Sequence, residues 1–182
     1  MASEAVRIGV VASDVLQVWQ RDALTELRAA GVVIAARFAP RGDQRPLALA
    51  PPAARLARGG AAAFALVPWD SPALMEPAHS GALDAVLLFA QSDQIEALSR
   101  ARWGCWEVVL PGDPPAFEDV ERGRGCAEVR IERRGAAGST VIARAGARVD
   151  PTSYPRTLGG IVALAAALPA DAVRRARAGV AG

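Results

Sequence analysis

Residues 6–38, VRIGVVASDVLQVWQRDALTELRAAGVVIAARF, decide the fold class. Val6 to Ala12 is a short apolar, β-branched run with the pattern of a buried strand. Ser13 and Asp14 follow as candidate helix N-caps. Val15, Val18, Trp19, Ala23, Leu24 and Leu27 then recur at helical spacing, with Gln17, Arg21, Asp22, Glu26 and Arg28 on the opposite side. Gly31 suits the end of that helix, and Val32 to Phe38 makes a second strand. This strand–helix–strand order predicts a parallel pair joined by a right-handed crossover.

Working outward, residues 39–82 are the least regular part of the chain, punctuated by Pro40, Pro46, Pro51, Pro52, Pro68, Pro72 and Pro77. A short helix near 52–58 and a strand at Ala63 to Val67 are expected there. Leu83 to Ala90 (LDAVLLFA) is the clearest buried strand. A helix over Asp93 to Ala101, capped by Ser92 or Asp93, leads to a strand at Cys105 to Leu110. A loop containing a helix at 116–122 follows. Ala127 to Arg133 and Ser139 to Ala145 are antiparallel candidates joined by a Gly-rich hairpin at Arg134 to Gly138. Thr157 to Leu168 is a small-residue apolar helix that Pro169 is expected to interrupt, and Arg174, Arg175 and Arg177 crowd the last turn. The order predicts one α/β domain over residues 1–182. It would have three layers, with a mostly parallel Rossmann-like sheet, a late antiparallel hairpin and a C-terminal helix.

Composition excludes much chemistry. The 182 residues carry a formal net charge of +2, so nothing in the overall charge drives the chain onto nucleic acid or anionic lipid. All 21 basic residues are arginine, and there is no asparagine. Schiff-base lysines, Walker lysines and catalytic asparagines are therefore absent. One histidine and two cysteines exclude a zinc site of four cysteines, or of two cysteines and two histidines, within one chain. No 18-residue apolar run suggests a membrane span, and Glu4 stands where a signal peptide needs positive charge. A cytoplasmic protein is expected.

From Leu83 onward the chain resembles the formyltransferase superfamily, the catalytic domain of methionyl-tRNA and glycinamide ribonucleotide formyltransferases. LDAVLLFA, EALSRARWGCW, PPAFEDVERG and CAEVRIERR follow one another as the family's elements do, and Gly104, Trp106, Pro114, Pro115 and Phe117 carry the likeness. Trp19, within VWQRDALTEL, sits where the family's first helix begins. The likeness covers most of the chain in element order and is specific over residues 83–134. It implies an Asn that stabilises an oxyanion, a His that assists proton transfer and an Asp that orients the His. Counted from Gly104, the Asn position falls on Glu107 and the His position on Val109, while the Asp position falls within Gly135 to Gly138. None of the three is retained, so the family's mechanism is expected to be inactive here. A carboxylate opposes a developing oxyanion, and loss of one preorganised donor alone costs about 10²–10³-fold in rate.

The residues themselves leave several roles open. Glu107 is either a functional carboxylate at the C-terminal end of a parallel strand or a strand-end glutamate paired to an arginine. Asp113, Glu118 and Asp119 share a loop and serve either acid/base work or as solvated residues and helix caps. With Glu107, Asp113 is the second catalytic candidate; Gly104, Trp106, Leu110, Pro111 and Phe89 are the ligand-binding candidates, and no metal site is expected. Cys105 and Cys126 read as buried structural thiols, and His79 as a loop residue. Trp69, Trp103 and Trp106 either pack the core or stack on a planar ligand. The terminal arginines either bind phosphate or complement a helix dipole.

Two functions lead, ahead of a hydrolase or isomerase on the same scaffold. One is a catalytically degenerate formyltransferase-like subunit that binds a small ligand or a partner. The other is an active one-carbon or acyl transferase rebuilt around Glu107, its pKa raised by burial. The resemblance implies 10-formyltetrahydrofolate, a reduced folate, as the cofactor if the cleft persists. The expected partner is a second copy or a co-encoded enzyme, met through the apolar face of the 157–168 helix and the tryptophans, with no nucleic acid and no membrane.

Overall fold

Val6–Val11 forms the first strand, β1, in a computed structural model that describes residues 5–40, 61–135 and 137–179. The chain continues through β2 (Val15–Gln17), α1 (Val18–Ala29), β3 (Val32–Phe38), β4 (Leu66–Pro68) and β5 (Ala85–Leu88). Next come α2 (Ile95–Leu98), β6 (Cys105–Val109), α3 (Phe117–Glu121), β7 (Cys126–Gly135), β8 (Gly138–Arg148) and α4 (Tyr154–Arg177). The main sheet has six strands in the order β3-β1-β5-β6-β7-β8. The first four are mutually parallel, and β7 and β8 run antiparallel. This is the α/β architecture that the sequence predicts, with its late hairpin and closing helix.

Strand alternation divides the core between the two sheet faces. On one face Ile8, Val10, Leu87, Trp106, Val129 and Ile131 pack in one cluster with Leu24 of α1 and Leu158 and Ile161 of α4. On the other face Val11, Phe38, Val86, Leu88 and Cys105 pack with Leu98 of α2. β1 is buried on both sides, and one of its residues has no room for any side chain. A Cβ on Gly9 would lie 2.5 Å from the Phe38 ring and 2.7 Å from a Leu83 methyl, and both neighbours are themselves buried. Gly9→Ala should therefore cost about 1–3 kcal/mol of stability through overpacking. Urea unfolding checks this, and an unchanged midpoint would show that the Phe38 pocket yields.

Several boundaries differ from the sequence expectation. The first helix begins at Val18, not after Ser13–Asp14, because Val15–Gln17 pairs antiparallel with Leu66–Pro68 as a two-stranded sheet. The cap is instead Gln17, whose backbone N–H donates to Gln20 Oε1 at 2.9 Å. The strand expected at Ala63 to Val67 becomes a 3₁₀ turn, Ala61–Phe64, followed by β4. The helix expected near 52–58 lies outside the described residues. The expected 93–101 helix keeps only one α-helical turn, and Ser92 Oγ accepts from the Gln94 N–H at 3.2 Å just before it.

α4 starts at Tyr154, where Ser153 Oγ accepts from the Arg156 N–H and Pro155 suits the first turn. It also runs straight through Pro169 to Arg177. Burial of Ala165, Ala166, Leu168, Ala170, Ala172 and Val173 around that proline holds the helix despite the lost hydrogen bond. The same burial consumes the apolar face expected to meet a partner, since α4 packs on α1, β7 and β8. By length and composition α4 is apolar enough to span a bilayer, with a mean hydropathy of 1.3 over its best window, but half of that window is buried inside the protein.

Candidate functional site

The connection leaving β1 goes to β3 on one side, while β5 enters on the other. Strand order therefore reverses between β1 and β5. Open α/β sheets bind ligands beyond the strand C-termini at such a point. A cavity of about 590 Å³ opens there, between the ends of β1, β5 and β6. Its walls come from Ala12 and Ser13 after β1, the first turn of α1, Phe89 to Gln91 after β5, and Leu110, Gly112, Asp113 and Pro115 after β6. Trp19 and Phe89 meet edge to face in this wall, their centroids 5.6 Å apart. Gln20 ties the first turn of α1 to the loop after β5, its Nε2 donating to the Phe89 carbonyl at 3.3 Å.

Among the described residues, the charged lining is Glu107, Asp113 and Arg134. Glu107 sits opposite Glu132 in the β6–β7 register, an arrangement that repels unless a cation intervenes. Arg134 supplies that cation. Its Nε donates to Glu107 Oε2, and its Nη1 lies 3.7 Å from Glu132 Oε2. Glu132, 8% exposed, is held from its other side by Arg130 Nε at 2.9 Å. The result is an alternating row, Arg130–Glu132–Arg134–Glu107, whose last carboxylate faces the cavity. The hydrogen bond that Arg134 donates to Glu107 pushes the Arg134 pKa above its ordinary value, so this guanidinium stays charged throughout the usable pH range.

The cavity brings together Glu107, Asp113, Leu110 and Phe89 of the sequence candidates. Three others are elsewhere. Trp106 faces the opposite side of β6 and is 1% exposed, its Nε1 donating to the Trp103 carbonyl at 2.9 Å. The period of two along the strand separates it from Glu107. Gly104 lies at the entrance to β6 with φ +82°, where a side chain would be strained and would meet Arg133 at 3.3 Å. Its role is the turn. Pro111 lines a second, shallower hollow of about 390 Å³ on the far side of its loop.

The acidic loop trio is split. Glu118 pairs with Arg122 at 3.1 Å, and the buried Asp119 pairs with Arg124 at 3.0 Å, both away from Glu107. Asp113 stands near Tyr154, whose hydroxyl donates to the Pro115 carbonyl at 3.1 Å. Burial first, and the charge of Asp113 second, push the Tyr154 pKa up. Cys105 is fully buried, and Cys126, expected to be buried, is exposed. His79 lies exposed in the 3₁₀ turn Pro77–Ala82, outside the cavity.

Sequence reading missed Arg134, Gln17 and Gln20. For Glu107 it left an arginine partner open, but only the β6–β7 register identifies which arginine. The Gln17/Gln20 spacing is a capping signal that the nearby Ser13–Asp14 pair obscured.

No family model matches the chain, and a search of curated proteins finds no relative. Solved structures do match. Phosphoribosylglycinamide formyltransferase from Brucella melitensis aligns with a TM-score of 0.61 at 15% identity, covering 96% of this chain and 97% of that one. Glycinamide ribonucleotide transformylase 1 from Symbiobacterium toebii aligns at 0.59 and 19% identity, over 96% and 89%. A formyltetrahydrofolate deformylase from Pseudomonas putida KT2440 aligns at 0.57 and 15% identity, over 93% of this chain but 64% of its own length. With its sheet order, its switch-point cavity and its closing helix, the chain has the fold of the formyltransferases and formyltetrahydrofolate deformylases of known structure.

Proposed function

We propose that this protein is a formyltransferase-fold subunit that binds a small ligand in the switch-point cavity and does not transfer formyl groups by the mechanism that the resemblance implies. One observation carries this reading. Where that mechanism needs an oxyanion donor, Glu107 presents a carboxylate fixed by Arg134. A fixed negative charge there disfavours the tetrahedral intermediate of acyl transfer. Val109, at the position of the proton-transfer histidine, has no proton to move. What persists is the cavity, large enough for a folate-sized head group and walled by aromatic rings. Such a protein serves as an accessory or ligand-sensing subunit.

A second reading has one observation in its favour, since Glu107 and Asp113 line the same cavity. In that reading Glu107 is a general base in a rebuilt transferase. The two are separated by incubating the protein with 10-formyltetrahydrofolate and glycinamide ribonucleotide while titrating the folate alone by calorimetry. The first reading expects saturable folate binding, a raised melting temperature and turnover no faster than buffer. Turnover that disappears in Glu107→Gln, with folding unchanged, would establish the second. No folate binding at millimolar concentration would remove the one-carbon connection from both.

A further inference from the structure

The charges and donors of the cavity specify the class of ligand more narrowly. Its described lining carries two carboxylates, Glu107 and Asp113, against the single guanidinium of Arg134. That guanidinium is already held by Glu107 and shared with the buried Glu132. An incoming anion would meet the charges of Glu107 and Glu132 beside this guanidinium, and drawing Arg134 toward itself would leave Glu132 facing Glu107 with less compensation.

The other anion-receptive feature of this region is the N-terminus of α1, where free backbone donors and the helix dipole would favour a phosphate. Here three of the donors at this helix end are filled from within. The Gln17 N–H donates to Gln20 Oε1, the Gln20 N–H to the Gln17 side chain, and the Val18 N–H to the Ala65 carbonyl at 3.0 Å. The exposed carboxylate of Asp113 and the rings of Trp19 and Phe89 remain, a combination that suits a cation attached to an apolar body.

We infer that the cavity takes an organic cation, an amine or amidine on an apolar or aromatic body, and rejects phosphate esters. This rests on the cavity being a ligand site, as proposed above.

The test uses three probes that share a phenyl ring and differ in the charge of the head group, on the full chain: phenethylamine, its near-isostere 2-phenylethanol, and phenyl phosphate. Binding is followed through the ¹⁵N–¹H resonance of the Trp19 indole, whose Nε1 donates to Gln17 Oε1 at 2.6 Å in the cavity wall. The amine should bind roughly 5- to 10-fold more tightly than the alcohol, the value of one or two partly screened charge contacts. Phenyl phosphate should bind more weakly than either, and Asp113→Asn should lower the amine-to-alcohol ratio by about 3-fold. Equal amine and alcohol affinities would overturn the inference. Phenyl phosphate binding that shifts the Trp19 indole and is tighter than the amine's would overturn it while leaving the cavity a ligand site. Silence from all three probes at 10 mM would overturn the inference alone, and the folate titration described above then decides separately whether the cavity is a ligand site.

Discussion

Raising the pH from 9 to 11 should destabilise this protein by about 2 kcal/mol through Cys105 alone. Its thiol is fully buried, and desolvation first, with the neighbouring charge of Glu107 second, pushes its pKa up to about 12. The sign follows from which state holds the proton more tightly. Below about pH 8 the thiol is neutral in both folded and unfolded chains and contributes nothing to the pH dependence. Between pH 9 and 12 the unfolded thiol ionises while the folded one does not, so each unit of pH favours unfolding by about 1.4 kcal/mol. Other alkaline groups such as Tyr154 titrate as well, so the measurement is a difference between two proteins. Urea unfolding of Cys105→Ala should show a pH-independent offset of about 1 kcal/mol for the lost packing, and a curve flatter than wild type above pH 9. Parallel curves would show that Cys105 reaches water. The same burial predicts that a thiol reagent at pH 8 titrates only the exposed Cys126 in the folded chain and both thiols in denaturant.

Trp106→Ala should be the most destabilising single truncation near the site, at about 3–5 kcal/mol, without weakening whatever the cavity binds. The ring is 1% exposed within the core between the sheet and α4. It stacks on Trp103 at 6.1 Å with planes 9° apart, and its N–H bonds to the Trp103 carbonyl. Truncation removes a large dispersion surface and leaves a hollow that the surrounding strands cannot close. Trp106→Phe should recover most of the loss. Denaturant unfolding gives the stability, and folate titration of the folded variant at low temperature gives the affinity. A folded Trp106→Ala protein with intact stability but lost binding would return this tryptophan to the ligand site.

The adjacent residues Trp106 and Glu107 show why fold and site were unequally legible. Their strand was evident from its apolar run, and its alternation places the two on opposite faces once the strand is placed. Which face is core and which opens to a cavity is not written in residues 105–109. It depends on β5 ending at Leu88, directly beside Glu107, so that the space beyond is left to loops. The split of Asp113 from Glu118 and Asp119 has a similar origin. They are neighbours along the chain, but the loop carries Asp113 to the cavity side while α3 carries the others to Arg122 and Arg124.

What the sequence by itself determined is the order of the main sheet's strands along the chain and of the helices beside them, the parallel start, the late hairpin, and the absence of lysine, asparagine and a second histidine. These are local or compositional properties, set by side-chain period and chemistry. Only the tertiary structure decided that α4 continues through Pro169, that its apolar face is spent on the chain's own core, and that Arg134 closes on Glu107. Each of these depends on contacts between residues distant in the chain, such as the 27-residue separation of Arg134 from Glu107. Burial energy and strand register, which no local pattern encodes, are what select them.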